Sequence, residues 1–264
     1  MFKNLSPTHL FGQEKIRYQT SDDFGEIQVV DDKLLRTLYL GSRNKQSAMV
    51  RSHPNVLVLE YTQLVTSALL FQPNPKSILV LGLGGASLVK FFRRLNPCAE
   101  ILAVELREKV VNIAHDFFYL PRNDSHLHLY CEDAFKFIEI HAQDLCNDIL
   151  VVDLFSQNGP SKAATSTVFF NLCKQSLSKK GILCINWWNN DTRNLKLIVS
   201  TLKQLFSGKL LYINSSKKPG NILIFAFNDH SIFEPGLSDK MWFTDLEHQT
   251  GINYTHLVRR FRQC

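Results

Sequence analysis

The chain has no cysteine pair spaced as C-x-x-C, and its six cysteines (Cys98, Cys131, Cys146, Cys173, Cys184, Cys264) keep no metal-ligand rhythm with histidine. That argues against a zinc ribbon or a redox dithiol, so no metal is expected. The cysteines read as reduced, mostly buried residues of a cytoplasmic protein. No apolar stretch approaches the roughly 20 residues that span a bilayer, so no membrane partner is expected. Residues 1–11 show neither the apolar core nor the small-residue cleavage site of a secretory signal. Low-complexity tracts and internal repeats are also missing.

What is present is ordinary globular composition: 264 residues, 45% hydrophobic, with material for one large α/β domain and a small appendage. The formal charge of +6 is scattered in pairs and short runs such as Lys217-Lys218 and Arg259-Arg260-Phe261-Arg262. Those runs read as solvated surface or as a basic tail able to touch phosphates. Without a recognisable reading motif, nucleic acid is not the expected partner.

Two regimes divide the chain. Up to about Met49, short mixed runs (Lys15 to Tyr18, Ile27 to Val30, Leu34 to Leu40) with turn signals at Asp22-Asp23 and Asp31-Asp32 predict a β-meander. A helix is predicted from Leu57 to Phe71, stopped by Pro73-Asn74-Pro75. The expected domains are 1–55, the N-terminal β-meander, and 56–264, a Rossmann-like nucleoside-binding domain. In the second, strands are predicted at Ser77 to Leu83, Glu100 to Leu106, His126 to Cys131, Asp148 to Phe155 and Gly181 to Trp187. Helices are predicted at Ser87 to Leu95, Lys109 to Leu120, Ala134 to Gln143, Val168 to Leu177 and Thr192 to Phe206. Such alternation builds a parallel sheet with right-handed crossovers. Only six residues link Leu210 to Asn214 with Asn221 to Phe227, too few for a parallel crossover, so these last strands should pair antiparallel. An exposed edge on the meander leaves a homodimer open.

Chemistry concentrates at the strand tips. Gly82-Leu83-Gly84-Gly85-Ala86-Ser87 follows the first core strand and opens a helix, either cradling a ligand or making a tight structural turn. Glu105 lies 23 positions after Gly82, where a carboxylate can accept from both ribose hydroxyls; the alternative is an exposed strand-end acid. Asp133, followed by Ala134, can accept from an adenine amino group or cap the next helix. Asp153 stands near the topological switch point as a base or cation anchor, with a structural capping role as the rival.

The run Pro73-Asn74-Pro75-Lys76-Ser77-Ile78-Leu79-Val80-Leu81-Gly82, with Val104-Glu105, Glu132-Asp133-Ala134 and the Gly159-Pro160 after Asp153, resembles the spermidine synthases. The resemblance spans about residues 26–227. It implies an α/β fold: a Rossmann-like doubly wound sheet with a reversed final strand, like class I methyltransferases, preceded by a small N-terminal β domain. It further implies a site for decarboxylated S-adenosylmethionine or S-adenosylmethionine as co-substrate. Gly82, Gly84, Gly85, Glu105, Asp133 and Ala134 fall on the nucleoside-binding positions and Asp153 on the catalytic one. Gln46 matches a glutamine that contacts the nucleoside, or is a solvated loop residue. Tyr61 matches a tyrosine near the amine, or is a core aromatic. Gln63 and Ser156 complete the implied substrate side.

Departures cluster on that substrate side. The family's loop aspartate is Gly85 here, its Tyr-His-Glu is Tyr61-Thr62-Gln63, its second aspartate after strand four is Ser156, and its Pro-Thr-Tyr-Pro turn aligns with Ser215-Ser216-Lys217-Lys218. Burying each charge of a polyamine without a paired carboxylate costs on the order of several kcal/mol. The expected function is therefore a transferase acting on a small-molecule acceptor, with an amine implied. Methyl transfer from S-adenosylmethionine and non-catalytic nucleoside binding are the alternatives.

Overall fold

A computed structural model of the chain describes residues 14–156, 159–216, 220–229 and 240–264. Five strands, β1 (Lys15–Asp22), β2 (Gly25–Asp31), β3 (Leu35–Leu40), β4 (Lys45–Val50) and β5 (His53–Leu57), form an antiparallel meander in sequence order. The apolar face of β2 to β4 (Ile27, Val29, Leu38, Leu40, Met49) closes on Val110, Ile113 and Phe118 of α3 (Glu108–Phe118). Strand β5 runs across the boundary expected near residue 55.

The predicted helix from Leu57 to Phe71 is shorter and broken: α1 covers Glu60–Val65, and a 3-10 turn follows from Thr66 to Leu70. Its threonines explain the tightening. Thr62 Oγ1 donates to the Leu59 carbonyl at 2.6 Å and Thr66 Oγ1 to the Gln63 carbonyl at 2.7 Å, both bonds spanning three residues.

The second sheet has the order β15-β13-β14-β12-β9-β6-β7-β8. Strands β6 (Ser77–Leu81), β7 (Glu100–Glu105), β8 (Leu127–Cys131) and β9 (Asn147–Val152) all run parallel, with β8 at the edge. Strand β6 is buried on both faces by helices from Ile78 to Leu81 and is apolar over those residues. Helices α2 (Ser87–Leu95), α3 and α4 (Ala134–His141) make the crossovers. Beyond β9, a small hairpin of β10 (Phe155–Ser156) and β11 (Gly159–Pro160) precedes α5 (Thr167–Gln175). Strand β12 (Leu177–Trp188) starts four residues before the predicted Gly181, with a register shift between Leu177 and Ile182. Then come α6 (Thr192–Leu205), β13 (Leu210–Asn214) and β14 (Asn221–Phe227). Strand β14 is antiparallel to both neighbours, as the short link requires, and inserts between β12 and β13.

Two expectations are corrected. Only Cys173 and Cys184 are buried; Cys98, Cys131 and Cys146 are exposed and Cys264 is intermediate. The C-terminal basic run is no loose tail: α7 (Lys240–Thr250), α8 (Tyr254–Val258) and β15 (Arg262–Gln263) fold back onto the sheet. Phe261 packs edge-on against Phe71 and Phe225, the Tyr254 hydroxyl bonds Thr66 Oγ1 at 2.8 Å, and Arg260 donates to Glu60 and to the Asn214 carbonyl. Among the described residues no helix is long and apolar enough to cross a membrane.

Candidate active site

The chain leaves β6 at Leu81 and turns sharply at Gly82, whose φ of +100° few side chains tolerate. A Cβ there would lie 2.2 Å from the Asp153 carbonyl oxygen, so glycine lets the loop after β6 press against the tip of β9. This contact sits at the switch point between adjacent parallel strands, one leading to a helix on each face of the sheet. A cavity of about 660 Å³ opens there, in the range of small-molecule sites.

Gln46, Tyr61, Gly82, Gly84, Glu105, Asp133, Ala134 and Asp153 all line that one cavity. Glu105 Oε2 accepts from the backbone N–H groups of Leu83 (3.1 Å) and Gly84 (3.4 Å), and Oε1 from that of Arg107 (3.1 Å). Burial pushes its carboxyl upward, against the pull of those donors. Asp133 caps α4: its Oδ1 accepts from Phe135 N (2.9 Å) and Lys136 N (3.1 Å). The cap uses one oxygen and the side chain still lines the cavity, so the two roles read from the sequence do not exclude each other.

Two expected nucleoside and substrate residues stand outside the wall. The Gly85 N–H bonds Ser47 Oγ at 2.9 Å, and a Cβ on Gly85 would collide with Ser47 and the Phe118 ring, so it serves packing between the meander and the loop. Gln63 turns its amide to the Leu57 carbonyl at 2.9 Å. The Ser156 side chain, Lys217 and Lys218 lie outside the described residues.

Asp153 is the centre of a polar chain. The Asn221 amide donates to Asn186 Oδ1 at 2.8 Å, and the Asn186 amide donates to Asp153 Oδ1 at 2.8 Å. The Tyr61 hydroxyl hydrogen-bonds the same carboxylate and lies 3.4 Å from the Gln46 carbonyl oxygen. Burial drives the Asp153 carboxyl up to about 6, with the nearby Glu105 charge adding to the rise and the Asn186 and Tyr61 hydrogen bonds opposing it. Burial and the Asp153 charge hold the Tyr61 phenol well above its ordinary range, so it stays a donor.

Sequence reading missed Asn186 and Asn221, which meet because the reversed β14 sets its first residue opposite Trp188. It also missed Phe24 and Arg107. The Arg107 guanidinium donates to both Asp22 oxygens (2.9 and 2.7 Å) and to the Gly25 carbonyl (2.8 Å), pinning the β1–β2 turn at the cavity. Phe24, on that turn, is 48% exposed, lines the cavity and carries Arg107 over its ring at 5.9 Å. No group of three or more histidine, cysteine, aspartate or glutamate side chains among the described residues is arranged to hold a metal ion.

Parallel strands, a reversed β14 and a glycine turn at the switch point define a class I methyltransferase-like α/β fold behind an N-terminal antiparallel sheet. Within that class a Spermine/spermidine synthase domain matches residues 59–215, and the chain belongs to that family. It is 29% identical over 238 residues to a polyamine aminopropyltransferase of Chromobacterium violaceum, covering 90% of each. Its fold is similar to that of a probable spermidine synthase from Corynebacterium glutamicum (TM-score 0.72, 18% identity, 89% of this chain and 87% of that one). A second similar structure is a spermidine synthase in complex with the transition state analogue AdoDATO (TM-score 0.63, 15% identity, 86% and 78% covered).

Proposed function

We propose that the chain transfers an aminopropyl group from decarboxylated S-adenosylmethionine to an amine. The observation that carries this is the partly buried Asp153 carboxylate, held by Asn186 and Tyr61 in the same cavity as Glu105 and the Gly82 turn. Its membership of the synthase family and the aminopropyltransferase name of its relative support the choice of group transferred.

The bound nucleoside supplies a sulfonium-activated methylene carbon, whose C–S bond breaks to release neutral methylthioadenosine. In this reading Glu105 accepts from the ribose hydroxyls, and Asp133 through its uncapped oxygen from the adenine amino group. Leu106, Ala134 and Phe24 offer apolar surface to the purine. The amine's lone pair forms the new C–N bond, and Asp153 accepts the proton that nitrogen sheds. With its carboxyl near 6, Asp153 is ionised at neutral pH and still basic enough to take that proton. Holding the two reactants in line supplies much of the rate.

Arg43 and Lys45 at the cavity favour a second reading, methyl transfer from S-adenosylmethionine, whose carboxylate they would attract. Product analysis separates the two. Incubation of decarboxylated S-adenosylmethionine with an amine panel should yield methylthioadenosine; S-adenosylhomocysteine formed from S-adenosylmethionine, with no methylthioadenosine from the decarboxylated form, would refute aminopropyl transfer. Nucleoside binding by calorimetry with no product from any acceptor would make the chain a binding module.

A further inference from the structure

The acceptor half of the cavity, on the β9, β12 and β14 side, has an unusual wall. It presents three carboxamides, Asn186, Asn190 and Asn221, beside the Trp188 and Phe155 rings, which lie 5.8 Å apart. Four carboxylates of the described residues line the cavity, Glu60, Glu105, Asp133 and Asp153; with Glu105 and Asp133 assigned to the nucleoside, Asp153 and Glu60 are left for this half.

Glu60 is already engaged. Its Oε1 accepts from Ser216 N (3.0 Å) and from Arg260 Nη2 (3.2 Å), and its Oε2 from Ser216 N (2.9 Å) and Ser216 Oγ (2.5 Å). The Arg260 guanidinium balances its charge, and these donors hold its carboxyl below the ordinary range, although burial acts the other way. Asp153 is spent on the attacking nitrogen. A second ammonium on the acceptor would therefore meet amide dipoles and aromatic faces, with no uncommitted anion among the described residues.

Carboxamides suit a different group. The Asn186 amide is used at both ends, by Asp153 and by Asn221. Asn221 keeps its carbonyl oxygen, and Asn190 stands at the exposed end of the wall. A hydroxyl or amide, donor and acceptor at once, can pair with such groups without bringing charge into the site. A cation against Trp188 would gain a cation–π contact, which is weaker than a buried carboxylate partner.

We propose that the acceptor of this site has one basic nitrogen, the one that attacks, and an uncharged hydrogen-bonding group at its far end. The inference rests on the aminopropyl-transfer reading and narrows its substrate class. It sets this chain apart from an enzyme whose acceptor is a diamine.

The test compares 4-amino-1-butanol, 1,4-diaminobutane and n-butylamine as acceptors with decarboxylated S-adenosylmethionine, reading methylthioadenosine release. The aminoalcohol is expected to exceed the diamine at least tenfold in kcat/KM, and to exceed n-butylamine. Asn190→Asp, which adds an anion to the wall, is expected to shift the diamine-to-aminoalcohol ratio at least tenfold toward the diamine. A wild-type preference for the diamine, or equal rates, overturns the inference while leaving aminopropyl transfer standing. Absence of methylthioadenosine with every acceptor overturns the functional reading and the inference together. Calorimetry of the same amines on the methylthioadenosine-bound protein gives the ranking without turnover, and tighter diamine binding there overturns the inference as well.

Discussion

Asp153 has to be ionised to act as a base, and its carboxyl sits near 6 rather than at the ordinary aspartate value because it is buried. Turnover should fall as pH drops through about 6, measured as the acid limb of kcat/KM. Asp153→Asn keeps the shape and one acceptor oxygen for Asn186 or Tyr61 but cannot take a proton. A loss of about 10²–10⁴ in kcat is expected, with methylthioadenosine affinity by calorimetry changed only a few-fold. The two asparagines tune the same group. An ionised carboxylate only accepts, so Asn186 must show it the NH₂ and turn its oxygen to Asn221. Asn221→Asp sets two acceptors face to face and removes that support, moving the acid limb upward to about pH 7; an unmoved limb would show that the amide chain does not act on Asp153. The asparagines of this chain were not visible in the sequence, because they are linked to Asp153 only by the fold: Asn186 and Asn221 are 35 positions apart on antiparallel neighbours. The strand-tip acids were visible, since alternation of strands and helices says where each strand ends.

At the scale of elements, the turn after β6 is the joint on which the cavity depends. Gly82→Ala would drive a Cβ into the Asp153 carbonyl at a φ that alanine resists. A loss of about 2 kcal/mol or more in urea unfolding is expected, with activity falling further. Helix α2 and strands β13 and β14 lie where the sequence predicts, because apolar periodicity and turn residues agree there. Strand β12 was read short: Ser178, Lys179 and Lys180 look like a loop, but the register shift carries them as a bulge while Leu177 pairs with Asn147. The helix after β5 was read long, since hydrophobicity is continuous through its 3-10 turn. Helices α7 and α8 escaped altogether, their buried positions Phe243, Leu246, Tyr254 and Leu257, with Ile252 in the link between them, being spread among polar residues. The docking of the β1–β2 turn was equally hidden, because the Arg107–Asp22 pair joins positions 85 apart.

Across the whole molecule, Lys90 ties the meander to the large sheet. Its buried ammonium donates to the carbonyls of Pro54 (3.1 Å) and Phe118 (2.6 Å) and meets Met49 Sδ at 3.5 Å, and none of these partners is a carboxylate. Burial lowers its pKa from 10.5 to about 8. Between those values the unfolded chain holds more protons than the folded one, so this residue's contribution to stability rises with pH through that window. Its unfavourable effect is fully present below about 8. Comparing wild type with Lys90→Met by urea unfolding at pH 7.5 and at pH 10 should show wild type gaining relative to the variant at the higher pH. The returning C-terminal segment is a second tie. Phe261→Ala should lower stability by about 2 kcal/mol, read by urea unfolding.

Strand β15 is only two residues long, yet it occupies the flank of β13, pairing Gln263 with Leu211 and Arg262 with Tyr212. Without it, β13 would offer a row of unanswered amide and carbonyl groups to any passing chain. Shortening the protein by these last few residues should therefore show first in storage, as clumping in light scattering on standing, before any change in turnover.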